Sequence, residues 1–108
     1  MTWHVETLNA TVDAELAALD PHLRGKFLYI AELLETFGPQ HVREPYVKSL
    51  GNKLWEMRMK GPRGIARAIY ITVVDRRIVV LHVFVKKTQK TPRSAIETAL
   101  SRAREIEQ

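Results

Sequence analysis

Arg58 and Lys60 stand two residues apart in the run KLWEMRMK, so on an extended chain both side chains leave the same face. Arg67 follows across the turn-forming GPRG, and pairing of the two runs puts all three cations on one sheet face. Lys86, Lys87 and Lys90 then leave the end of a third apolar run, in HVFVKKTQKTPRS. Cations held in this way bind phosphates. They also stabilise the extra negative charge of a pentacoordinate phosphorane, which forms when an RNA 2′-hydroxyl attacks the adjacent phosphorus. The competing explanation is that strand edges carry Lys and Arg to block aggregation.

Other chemistry is thinly represented. His4, His22, His41 and His82 have no i, i+4 pair and no acidic cluster beside them, so no metal site is expected. His82 lies within an apolar strand, where a histidine is commonly a hydrogen-bonded core residue; it is also a group able to move a proton. Trp55 and Tyr70 read as sheet aromatics, in the core by default and available for base stacking only if exposed; Tyr46 and Trp3 are equally open. The five glycines are scattered, so there is no phosphate-cradling loop. No nucleophile elbow or paired-carboxylate motif is present.

The cations are concentrated. Residues 1–39 hold six acids and two Lys/Arg, about −4; residues 40–93 hold thirteen Lys/Arg and three acids, about +10. The last fifteen residues are near −1, so the net +5 conceals a strongly basic middle. Within a folded domain such a segment fits a phosphate-rich partner, or else a solubilising face. A chain of 108 residues makes one domain, here 1–108. The absence of cysteine excludes disulfides and thiolate zinc sites. The N-terminus lacks a basic start followed by an apolar run, and no apolar run approaches a bilayer span, so a cytoplasmic protein without a membrane partner is expected.

The elements that must position these residues are legible by period. WHVETL alternates as a strand. A helix follows, capped by Asn9 or Thr11, and ends near Leu19. Asp20 as N-cap and Pro21 as first residue start the next helix, whose apolar stripe is Leu23, Phe27, Ile30, Leu34 and Phe37. Gly38-Pro39 ends it, and the two helices are expected to form an antiparallel hairpin. PQHVREPYVKSLGN reads as irregular, with a Gly-Asn turn. Three strands come next: Lys53–Lys60, Ile65–Val74 and Ile78–Val85, the last apolar enough to be covered on both faces. On the first of them Leu54, Glu56, Arg58 and Lys60 share a face. A final helix begins at Thr91-Pro92, or at Ser94 with Glu97 as a capping box, and buries Ile96, Ala99, Leu100, Ala103 and Ile106. The order is β-α-α-β-β-β-α.

With these residues in view, KSLGNKLWEMRMKG, RAIYI and VVLHVFVKKTQKTPRSAIETAL, at their spacing, resemble the phage-derived HigB-like branch of the RelE/ParE toxin superfamily. The likeness covers most of the chain and is most specific at LHVFVKKTQKTP followed by a helix containing IETAL. It implies an α+β microbial RNase fold: a helical hairpin on one side of a mostly antiparallel sheet of about four strands, plus a C-terminal helix. It implies the toxin of a type II toxin–antitoxin pair that cleaves mRNA in the ribosomal A site, without metal or cofactor, using the RNA 2′-hydroxyl. The implied partners are mRNA, the ribosome and a helix-turn-helix antitoxin, with operator DNA met only through the toxin–antitoxin complex. Carried across residue by residue, the catalytic positions are Arg58, Lys60, Arg67 and Lys87, or Lys86 with a one-residue slip. Lys86, Gln89, Lys90 and His82 are placed on the RNA. The tyrosine that the RelE branch often carries near its C-terminus has no counterpart in TPRSAIETALSRAREIEQ, which leaves Lys60, Lys90 or His82 as replacements, or catalysis by positioning and charge. Two alternatives are a non-catalytic nucleic-acid-binding or degenerate toxin, and a gyrase inhibitor like ParE, which shares the fold without the RNase residues.

Overall fold

The computed structural model describes residues 2–87 and 90–106. Strand β1 (His4–Thr7) leads into helix α1 (Ala10–Ala17), whose N-cap is Asn9, accepting from the Val12 amide at 3.1 Å. Helix α2 (Pro21–Phe37) starts as its sequence directs, with Asp20 accepting the Leu23 amide at 2.9 Å and Pro21 in the first turn. It stops at Gly38, where φ is +86°. Leu23, Phe27, Ile30 and Leu34 are buried, but Phe37, the last residue of the expected stripe, is largely exposed. The helix ends there, before the stripe can return to the core.

The segment expected to be irregular contains a short 3-10 turn (Pro39–His41) and a further strand, β2 (Val47–Gly51). β2 pairs antiparallel with β3 (Leu54–Gly61) through the two-residue loop Asn52-Lys53, both residues at positive φ, as a hairpin turn matched to strand twist demands. β4 (Gly64–Val73) and β5 (Arg77–Lys86) complete the meander. The sheet therefore has five strands in the order β1-β5-β4-β3-β2, with β1 parallel to β5 and every other pair antiparallel.

Both faces of the sheet are covered, which explains the nearly continuous apolar character of β4 and β5. On one face Met57, Met59, Ala66, Ala68, Tyr70, Ile78 and Val80 pack with Val12, Leu23, Phe27, Ile30 and Leu34 from α1 and α2. The two helices share this core while lying over different strands, α1 on β5 and α2 on β3. On the other face Leu54, Ile69, Ile71, Val79 and Leu81 pack with Ala95 and Ala99 of α3 (Arg93–Ala103). The N-cap of α3 is Pro92 and makes no side-chain capping bond. Neither expected cap operates: the Thr91 hydroxyl donates instead to Glu56, and Ser94 lies within the first turn.

Candidate functional site

Strand register builds the cationic face. Arg58 lies opposite Arg67, and Arg67 opposite Phe84; in the next row Lys60, Ile65 and Lys86 align across the same three strands. A β-bulge where Ile69 pairs with His82 but Tyr70 with Val80 sets this arrangement. Without the bulge, the alternation running from Val79 and Leu81 would carry on to Lys87. The extra residue moves it by one, so Lys86 shares the row with Lys60 and Ile65. Lys86 is buried, whereas Lys87 at the strand end is exposed. The bulge thus puts Lys86, not Lys87, in the row of Lys60 and Ile65.

Two guanidiniums directly opposite one another repel. Glu56, two residues back along β3 on the same face, separates them electrostatically. Its Oε2 lies 3.5 Å from Arg67 Nε and 3.7 Å from Arg58 Nε, and its Oε1 accepts from Thr91. Glu56 was not anticipated as a site residue, although the sequence signal exists: it alternates onto the face of Arg58 and Lys60. Arg67 is 2% exposed and Glu56 2% exposed. Arg67 Nη1 donates to the Ala66 carbonyl at 3.1 Å, but its Nε is buried with no hydrogen-bond partner among the described residues. Burial lowers the Arg67 pKa, Glu56 opposes that shift and Arg58 adds to it. Burial likewise lowers the pKa of Lys86, assisted by the charge of Arg67 and opposed by Glu56. Arg58, Arg67 and Lys86 thus face the carboxylate of Glu56, with Glu44 3.8 Å from Arg58 on the exposed side, and the local charge is positive.

This face opens into a cavity of about 610 Å³ at the outer edge of β3, where α2 and the segment before β2 wrap round it. Arg58, Lys60 and Arg67 line it from the sheet, Lys26 and Tyr29 from α2, and Tyr46 from the start of the β2 segment. The expected residues Arg58, Lys60 and Arg67 are therefore brought together at the cavity, while Lys86 is buried opposite Ile65 and is not among the residues lining it. Lys90 is exposed in the segment before α3, and Gln89 lies outside the described residues.

His82 sits elsewhere. β1 leaves the edge of β5 after Thr7 pairs with Val80, and Glu15 of α1 takes over that edge by accepting the Val83 amide at 3.0 Å. The same carboxylate is 3.0 Å from His82 Nδ1 and 2.9 Å from Arg102 Nη1, while Arg102 also donates to the Leu81 carbonyl at 2.9 Å. His82 stacks on Phe84 with centroids 4.9 Å apart. It lines a separate hollow of about 250 Å³ with Pro92 and Ala95. His82 Nδ1 also lies 3.3 Å from Arg102 Nη1, and Glu15 with Arg102 ties α1, β5 and α3 together.

This network has a pH signature. Burial raises the Glu15 pKa, but bonds from the Val83 amide, His82 and Arg102 outweigh it, and the net shift is downward from 4.5. A depressed folded-state pKa gives stability that is complete above the unfolded value and is lost as pH falls through the folded value. In urea titrations Glu15→Gln should be clearly less stable than the parent near neutrality. The gap should close as pH is lowered from about 6 to about 3. An undiminished gap at the acid end would show that the carboxylate charge contributes nothing.

A five-stranded, mostly antiparallel sheet with two helices on one face, one on the other and a basic cavity at its edge defines an α+β domain. The chain belongs to the phage-derived Gp49-like protein family (DUF891), whose model matches residues 14–104, and this is a toxin-like family. That span takes in every cation of the site. A search of curated proteins finds no match. Among the described residues, no group of three or more His, Cys, Asp or Glu could hold a metal ion, and no helix is long and apolar enough to cross a membrane.

Proposed function

We propose that the protein is the toxin of a type II toxin–antitoxin pair and a metal-independent endoribonuclease of the HigB/RelE kind, acting on ribosome-bound mRNA. The observation that carries this reading is Arg67: a guanidinium 2% exposed, its Nε without a hydrogen-bond partner among the described residues, at the wall of a cationic cavity. Buried donors are nearly always satisfied, and a phosphate oxygen is the natural acceptor for this one.

In the proposed reaction the 2′-hydroxyl attacks the adjacent phosphorus. A P–O2′ bond forms, the P–O5′ bond breaks, and the products are a 2′,3′-cyclic phosphate and a 5′-hydroxyl. Arg67 and Arg58 hold the non-bridging oxygens as negative charge builds on them. Glu56 holds the two guanidiniums at a fixed separation, so little reorganisation is needed when the phosphorane forms. Lys86, buried in the register row beside Arg67, or Lys87 with the one-residue slip, is the candidate donor to the leaving 5′-oxygen. Lys60 lines the cavity and, in its neutral amine form, is the candidate acceptor of the 2′-hydroxyl proton. Lys87 and Lys90, exposed at and beyond the strand end, extend the track for the RNA backbone. A helix-turn-helix antitoxin is the proposed partner, and operator DNA is met through that complex.

The test is cleavage of mRNA on programmed ribosomes by purified protein, with the cut ends analysed. Cyclic-phosphate ends support the reading. Salt-sensitive binding without cleavage would instead assign the basic face to a nucleic-acid-binding module.

A further inference from the structure

Two large aromatic side chains stand in solvent beside the cations. Tyr29 is 51% exposed and Tyr46 37% exposed. Their ring centroids are 5.9 Å apart with an interplanar angle of 63°, so the rings form a corner rather than a stack. Both line the cavity that Arg58, Lys60 and Arg67 line from the sheet. The corner is held in place. Tyr29 rides on α2 one residue before buried Ile30. The Tyr46 carbonyl accepts the Arg58 amide at 2.8 Å, and its own amide donates to the Arg43 carbonyl at 3.0 Å. The backbone that carries the aromatic ring is therefore bonded directly to the strand residue that carries a phosphate-binding guanidinium.

Core packing does not account for rings so exposed. A purely apolar partner would have to bury the neighbouring Arg58, Lys60 and Lys26 without an anion. Unstacked RNA bears both features at the required spacing, a flat π-face one sugar away from each phosphate.

We propose that Tyr29 and Tyr46 form a base-stacking corner that takes the nucleobase next to the phosphate held by Arg58 and Arg67. The site then binds single-stranded RNA by base as well as by backbone. This rests on the RNA-binding reading above and extends it to two residues that carry no charge. One ring offers its face to the base, and the other closes the side of the pocket with its edge.

The test compares a short single-stranded RNA, 2′-O-methylated throughout so that it cannot be cut, with an abasic oligonucleotide of the same length and backbone. Binding of each is followed by fluorescence anisotropy at low salt. The parent protein should prefer the base-bearing strand by about 5- to 100-fold. Tyr46→Ala and Tyr29→Ala should each erode that preference while leaving affinity for the abasic strand unchanged; Tyr46→Phe, which keeps the ring, should retain it. Both tyrosines are exposed, so circular dichroism should report folded variants. Equal binding of the two strands by the parent, or a preference that survives both alanine substitutions, overturns the stacking corner and leaves phosphate binding by the arginines standing. Binding of neither strand overturns the corner and the RNA-binding reading together.

Discussion

Arg67→Ala should abolish growth arrest on expression and lower the rate of mRNA cleavage by about 10²- to 10³-fold, the usual consequence of deleting one preorganised donor to a developing oxyanion. The effect is expected to be large because Arg67 is buried, and its neighbour Arg58 sits directly opposite on β3. A buried guanidinium held by the Ala66 carbonyl and Glu56 has little freedom to reorient as charge develops. Alanine also strands Glu56, so the loss could come from unfolding alone. Arg67→Lys separates the two causes. It keeps a cation beside Glu56 and preserves stability, but it removes the planar fork that grips two phosphate oxygens. A folded Arg67→Lys protein with strongly reduced cleavage places the effect in the chemistry. Full toxicity of either variant at equal protein level would remove Arg67 from the site.

Glu56→Ala should cost about 3–5 kcal/mol of folding stability, because removing one partner of a buried ion pair leaves the other charge uncompensated. The penalty falls mainly on buried Arg67, since Arg58 keeps Glu44 at 3.8 Å, and Thr91 also loses its acceptor. For a domain of this size the melting temperature would fall by well over ten degrees, at about 4–8 °C per kcal/mol. The double variant Glu56→Leu/Arg67→Met should recover much of the loss, because an apolar pair of similar volume replaces a buried pair at little net cost. Urea denaturation of the parent, Glu56→Leu, Arg67→Met and the double variant closes the cycle. A single-variant loss under about 1 kcal/mol would mean that water already screens the cluster.

The two effects pull in opposite directions at one location. Glu56 holds the cations together but offsets part of the positive charge that RNA would meet. A phosphate entering the cavity competes with the carboxylate for the same guanidiniums. Phosphate or a polyanion should therefore stabilise Glu56→Ala more than the parent, by simple mass action on a site with less internal competition.

Much of this was legible in the sequence. The period of the helical stripes, the Asp20-Pro21 start and the alternation of β3 led directly to the observed elements. The shared face of Leu54, Glu56, Arg58 and Lys60 could be read from a two-residue period alone. β2 escaped notice because Pro45 precedes it and Gly51 ends it, and a five-residue edge strand shows little alternation. Thr91 looked like a helix cap because capping chemistry is local, whereas its actual partner lies 35 residues away on β3. The register of Lys86 depended on a bulge that no periodic pattern announces. Tyr29 and Tyr46 could be assigned only after the fold had shown which aromatics remain in solvent. The family resemblance supplied the α+β architecture, and membership in the Gp49-like family agrees with its phage-derived side.

The most direct measurement uses an mRNA carrying a single 2′-deoxy substitution at the nucleotide where the unmodified message is cut on programmed ribosomes. We expect the unmodified message to yield a 2′,3′-cyclic phosphate and a 5′-hydroxyl, and the substituted message to remain intact at that position. Cleavage of the 2′-deoxy message at an undiminished rate, or an unmodified message left uncut, would contradict attack by the 2′-hydroxyl in the Arg58–Arg67 cavity.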